Sequence, residues 1–100
     1  MNKRPSTAIP PASHSHRRTL EKFREKYLHR VVVIDAAPRY IMGCGLARGR
    51  RSGLFRLTVK HVSVEEALRQ GDLDPTQIPS RPARLPRNLN GIPVLSYAVG

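Results

Sequence analysis

The chain predicts an α+β domain: a small curved antiparallel sheet, partly open and barrel-like, with an N-terminal helix and one short inserted helix. Three observations carry that prediction. Val31-Val32-Val33-Ile34 is an unbroken β-branched run, the pattern of a strand buried on both faces. Two alternating runs between Arg39 and Val62 flank a tip rich in glycine and arginine. Ser63-Val64-Glu65-Glu66 carries the capping-box spacing that starts a helix directly after the second run.

Residues 1–17 read as a disordered basic arm, and residues 18–100 as the single folded unit. The arm is rich in Pro, Ser and Thr and lacks hydrophobic periodicity, so burial cannot offset its ordering entropy. His14 and His16 form a His-x-His pair; with nothing nearby to complete a metal site, they read as solvated tail histidines. Thr19 is the expected helix cap, with Glu21 in the first turn, where the helix dipole favours an acid. Leu20, Phe23, Tyr27 and Leu28 then fall on one stripe, which packs on the sheet. Residues 31–34 follow as the candidate central strand, ended by Asp35 to Pro38.

The next two strands form a hairpin whose register follows from keeping arginine out of the core. Pairing Leu46 with Phe55 sets Cys44 opposite Leu57, Met42 opposite Val59 and Tyr40 opposite His61. The apolar face is then Tyr40, Met42, Cys44, Leu46, Phe55, Leu57 and Val59. The other face opposes Gly45 to Arg56, Gly43 to Thr58 and Ile41 to Lys60. Two glycines beside a basic ladder form a floor that a phosphate backbone can approach closely, and the same glycines also suit a bulge or the sharp coiling of a small barrel. The tip, residues 47–54, carries Arg48, Arg50 and Arg51, whose planar forks suit phosphate and guanine edges.

After the hairpin a short helix runs from Val64 to Gln70, with Gly71 as its stop. Asp74-Pro75 fits an N-cap and first position of one further helical turn. Glu65, Glu66, Asp72 and Asp74 make this segment acidic, so it should face away from a polyanion or meet a basic partner. Residues 80–90 read as an extended Pro/Arg connector in which Arg81, Arg84 and Arg87 recur at every third position. Asn90-Gly91 marks a turn into a last strand, Ile92 to Val99, with Pro93 near its start. That strand reads as an edge strand that closes the sheet or pairs with another chain.

Charge is distributed unevenly along these elements. Residues 1–30 hold eight basic and two acidic side chains, residues 31–63 six and one, and residues 64–100 four and four. The whole excess of +11 therefore lies before Val64, a field that concentrates anionic partners. With five aromatic residues and no Trp, the chain favours phosphate contact or a finger in a groove over base stacking. The single cysteine, Cys44, excludes an internal disulfide. No apolar run approaches the ~20 residues of a membrane span, and no hydrophobic h-region follows Lys3 and Arg4, so a secretory signal is not expected. Residues 1–20 resemble an organelle transit peptide in composition, but Pro5, Pro10 and Pro11 spoil the helix such a peptide needs. The expected location is the cytoplasm.

Phosphate-binding, zinc-protease, Cys-x-x-Cys and serine-hydrolase motifs are all lacking. Asp35 is the one carboxylate between Val31 and Ser63, too few for two-metal phosphoryl chemistry. The primary expectation is a non-enzymatic nucleic-acid-binding or regulatory protein, without cofactor or metal, contacting phosphates through Arg39, Arg48, Arg50, Arg51, Arg56 and Lys60. A protein-interaction module, an inhibitor or adaptor completed by a partner or a second copy through the last strand, is the first alternative. The second is a metal-independent ribonuclease using Tyr40 and His61, which the expected register sets side by side.

Overall fold

The computed structural model describes residues 14–48 and 55–99. In chain order the elements are α1 (His14–Tyr27), β1 (Val31–Ile34), β2 (Ala37–Arg48), β3 (Phe55–Ser63), α2 (Val64–Gln70), a 3-10 turn (Pro75–Gln77), β4 (Asn88–Leu89) and β5 (Ile92–Ala98). The α+β class is as expected. The sheet has the order β1-β2-β3-β5-β4, curled into a half-barrel around one apolar side.

The sheet is mixed rather than wholly antiparallel. β5 runs parallel to β3, with Leu57 beside Val94 and Lys60 beside Tyr97. A parallel neighbour needs a long crossover, and residues 64–91 supply it. β3, not the β-branched run of β1, is therefore the central strand. Val31 and Val32 are nonetheless buried, Val32 in the inner core and Val31 on the opposite side with Tyr40 and Val62, and the free edge of β1 is covered as well. Val33 donates to the Ala83 carbonyl and accepts from the Leu85 amide, at 2.8 and 3.0 Å, and Val33 and Arg84 form a parallel bridge. The Pro/Arg segment is extended, as expected, but it is more than a connector. It ties the first strand to β4, which pairs with β5, so this segment draws the curled sheet toward closure.

The inner side is filled by Phe23, Tyr27, Val32, Ile34, Ile41, Leu57, Val59 and Ile92, with Leu20, Cys44, Leu46, Leu85, Leu89 and Val94 packed against them. The helical stripe read from Leu20, Phe23, Tyr27 and Leu28 points here, as expected. The helix itself starts earlier than Thr19: residues 14–18 are helical and Thr19 is buried within it. Of the expected arm, residues 1–13 lie outside the described residues. α1 ends where His29 takes a left-handed φ of 60°, and its imidazole stacks against Tyr40.

A second, smaller cluster lies on the outer side of the sheet. Val31, Tyr40, Val62, Ala67 and Leu73 are buried there, with Met42, Val64 and Leu68 beside them. α2 covers this patch because its first turn follows β3 without a gap. Ser63 accepts from the Glu66 amide at 3.1 Å, and Gly71 closes the helix with φ 80°, both as the sequence predicts. Asp74 caps the 3-10 turn in the same way.

The hairpin register departs from expectation along its whole length: none of the expected pairs forms, the tip half being displaced by two residues, which keeps each residue on its expected side, and the half next to β1 by one, which does not. Arg48 pairs with Phe55, Leu46 with Leu57, Cys44 with Val59 and Gly43 with Lys60, then a bulge at Met42 resets the ladder to Ile41 with His61 and Tyr40 with Val62. One extra residue in one strand reverses which side its later residues face. Cys44, Leu46, Leu57 and Val59 keep the inner side foreseen for them. Ile41 takes the inner place foreseen for Met42, and Tyr40 moves outside.

Candidate functional site

The bulge divides the outer side of the β2–β3 ribbon in two. On the β1 side of Met42 it lies under α2. Toward the tip Gly43, Gly45 and Ala47 of β2 sit opposite Lys60, Thr58 and Arg56 of β3, and the parallel register adds Leu95 beside Thr58 and Tyr97 beside Lys60. Lys60 is exposed, and Leu95 and Tyr97 retain 39% and 43% of their exposure. The result, among the described residues, is a partly open patch with a strip of small residues, a cationic middle strand and an apolar outer strand.

The glycines differ in what the fold asks of them. A Cβ at Gly45 would approach the Thr58 hydroxyl to 3.2 Å, whereas a Cβ at Gly43 would meet nothing within 4 Å. Neither has a left-handed φ; Gly71 and Gly91 do. Backbone conformation and internal packing therefore do not require glycine at position 43, although it adjoins the bulge and faces Lys60.

The expected contact residues do not all meet on this patch. Arg56 and Lys60 do. Arg39 lies on the inner side with His61, its Nε donating to His61 Nδ1 at 2.9 Å, and is half-buried. Arg48 pairs with Phe55 and so shares the inner-side parity of Leu46 and Leu57. Arg50 and Arg51 lie outside the described residues. Tyr97 and Leu95 were missed because their neighbour on the sheet depends on the parallel crossover. The alternation of Val94 and Ser96 with Leu95 and Tyr97 was the one signal that they share a face.

The same geometry separates the pair considered for ribonuclease chemistry. Tyr40 faces outward and donates its hydroxyl to the Asp72 carbonyl at 3.1 Å, while His61 faces inward. The His61 imidazole is held below its ordinary pKa by burial first and by the Arg39 guanidinium second, with Asp35 opposing. Accepting at Nδ1, it is a neutral imidazole that carries its proton on Nε2.

Cys44 serves through its backbone. Its carbonyl accepts from Arg24 Nε and Nη2 of α1 at 3.3 and 3.0 Å, which ties the helix to the edge of β2. Burial pushes its thiol up to about 11, against the opposing pull of Arg24, so at neutral pH it stays protonated and weakly nucleophilic.

Among the described residues, no group of three His, Cys, Asp or Glu side chains is placed to hold a metal ion, and no helix is long and apolar enough to cross a membrane. The acidic segment caps the patch's far end: Glu65 and Glu66 lie in the first turn of α2, beyond the bulge from Lys60. Comparison with known protein families, with individual characterised proteins and with solved structures finds no match to this chain.

Proposed function

We propose that this chain is a non-enzymatic nucleic-acid-binding protein of the cytoplasm, and that its contact surface is the partly open patch of Gly43, Gly45, Arg56, Thr58, Lys60 and Tyr97. One observation carries the reading: Gly43, opposite Lys60, is a glycine that neither its backbone nor its surroundings demand. Its lack of a side chain has a use if a ligand backbone must pass close to the strand. A phosphate running over that strip meets Lys60 and Arg56 on one side, within a chain of net charge +11. Tyr97 adds a ring on which one base can stack.

Anisotropy titrations with labelled DNA and RNA oligonucleotides at rising salt test the reading. Affinity should fall steeply with salt, the slope counting the phosphates neutralised, and Lys60→Ala should lower that slope by about 1. Gly43→Val should weaken binding while the folding stability stays within about 0.5 kcal/mol of the parent, as for a surface change. Negligible affinity at low salt, or affinity indifferent to both substitutions, sinks the proposal.

A second reading, a protein-interaction module, has its own observation in its favour. Leu95, Tyr97 and Val99, all on or next to one strand, stay 39%, 43% and 42% exposed. Apolar side chains concentrated on one strand suit a protein partner.

A further inference from the structure

We infer that β5 is the interface for a second copy of this chain, joined edge to edge as an antiparallel pair about a two-fold axis at Tyr97. The inference goes beyond the nucleic-acid reading and does not depend on it.

The backbone of β5 shows which of its groups lack partners. Val94 donates to Arg87, on the β4 side, at 2.9 Å, and Val99 donates to His61, on the β3 side, at 2.8 Å. Backbone polar groups alternate along a strand, so Ser96 and Ala98 turn theirs to the β4 side. β4 ends its pairing at Ile92 and Pro93, and among the described residues no backbone bond reaches Ser96 or Ala98 from that side. A cleft of ≈ 650 Å³ runs along it, between Val94–Ser96 and Ile34–Ala36. The edge is open, and space for another strand lies beside it.

The composition of the strand points to self-pairing. Monomers guard free edges with charge, proline or bulges. No charged side chain occurs from Asn88 to Val99, and Pro93 lies in the part that β4 already covers. The strand itself therefore brings no charge to the seam, and the nearest cations, Arg84 and Arg87 along the cleft and Lys60 beside Tyr97, set a repulsion that salt screens. The register is self-complementary. With Tyr97 opposite Tyr97, Ser96 of one copy faces Ala98 of the other, and these are the residues whose N–H and C=O groups are free to exchange bonds. Leu95 then stands opposite Val99, so the three exposed apolar residues meet their counterparts. The pairing is isologous and closed. It leaves the outer faces of both copies continuous, with Lys60 of each on the same side.

Sedimentation equilibrium on the full chain in about 1 M NaCl tests this, because charge repulsion and nucleic-acid bridging are both screened there. The expected result is a mass approaching twice that of the chain as concentration rises. Ala98→Pro removes an outward N–H and no bond to β3, and should return the monomer with the thermal transition of the free chain retained. Tyr97→Lys, which sets like charges across the axis, should do the same and serves if the proline variant fails to fold. A monomer at every concentration, a dimer indifferent to both variants, or a dimer seen only at low salt with nucleic acid bound would each overturn the inference. So would a monomer that pairs instead with a different polypeptide through this edge. Oligonucleotide affinity and its response to Lys60→Ala are read separately, so failure of one proposal leaves the other standing.

Discussion

The two ends of the β2–β3 ribbon share the same strands and the same inner core, yet their outer sides have opposite fates. On the β1 side of the Met42 bulge, Tyr40 and Val62 are buried under α2. On the tip side, Gly43 and Gly45 lie beside Lys60 and Thr58, and no helix among the described residues covers them. The difference does not arise from strand propensity. It comes from where the chain turns: a capped helix begins at the residue after β3 and folds back over one end alone. A sheet face stays open where, among the described residues, no further element is laid on it.

Removing the shared core should break both ends together. Leu57 has no exposed surface and packs in the inner cluster, so Leu57→Ala should cost about 2–5 kcal/mol, read from the urea midpoint. Loosening the cover should affect one end. Ser63→Ala removes the cap of α2 and should cost about 1 kcal/mol, with amide exchange accelerating in residues 64–73 and little changed at Gly43 and Gly45. Equal acceleration at both ends would show that the bulge is no divider.

The smallest effect is expected at His61, which lies on the inner side beside the bulge. Its folded-state pKa is lowered, so the unfolded chain binds its proton more readily. Stability from this residue is complete above the ordinary value of about 6.5 and falls as pH drops through it toward the folded-state value. Urea midpoints measured across that window should decline in the parent and flatten in His61→Gln. A parent profile already flat there would show that the Arg39 contact and burial do not disfavour the imidazolium.

Much of the architecture could be read locally. Ser63, Gly71 and Asp74 act through bonds within three or four residues of themselves, and Asn90-Gly91 makes its turn with φ values of 54° and 81°. Such features depend on nearest neighbours, which sequence displays directly. The inner side of the tip half was equally clear, because alternation is a local pattern. The bulge was not. Ile41 and Met42 are both apolar, so either can face the core, and the choice falls to α2 and Leu73, which need Tyr40 and Met42 outside. Arg39 left the expected contact set for the same reason, changing sides with Ile41.

The connector shows how tertiary structure can overrule composition. Pro/Arg alternation from Ser80 to Arg87 describes an extended chain, and extended it is, but its backbone bonds to Val33 make it part of the barrel. Those bonds join residues some fifty positions apart, and nothing in either segment's own chemistry names the other. From sequence alone come the helix caps, the turns, the alternation and the one-sided charge, since each rests on interactions between near neighbours or on composition. Tertiary structure alone decides the bulge, the parallel placement of β5, the near-closure through residues 83–85 and the patch they leave open. Each of those is a competition between distant segments for the same surface.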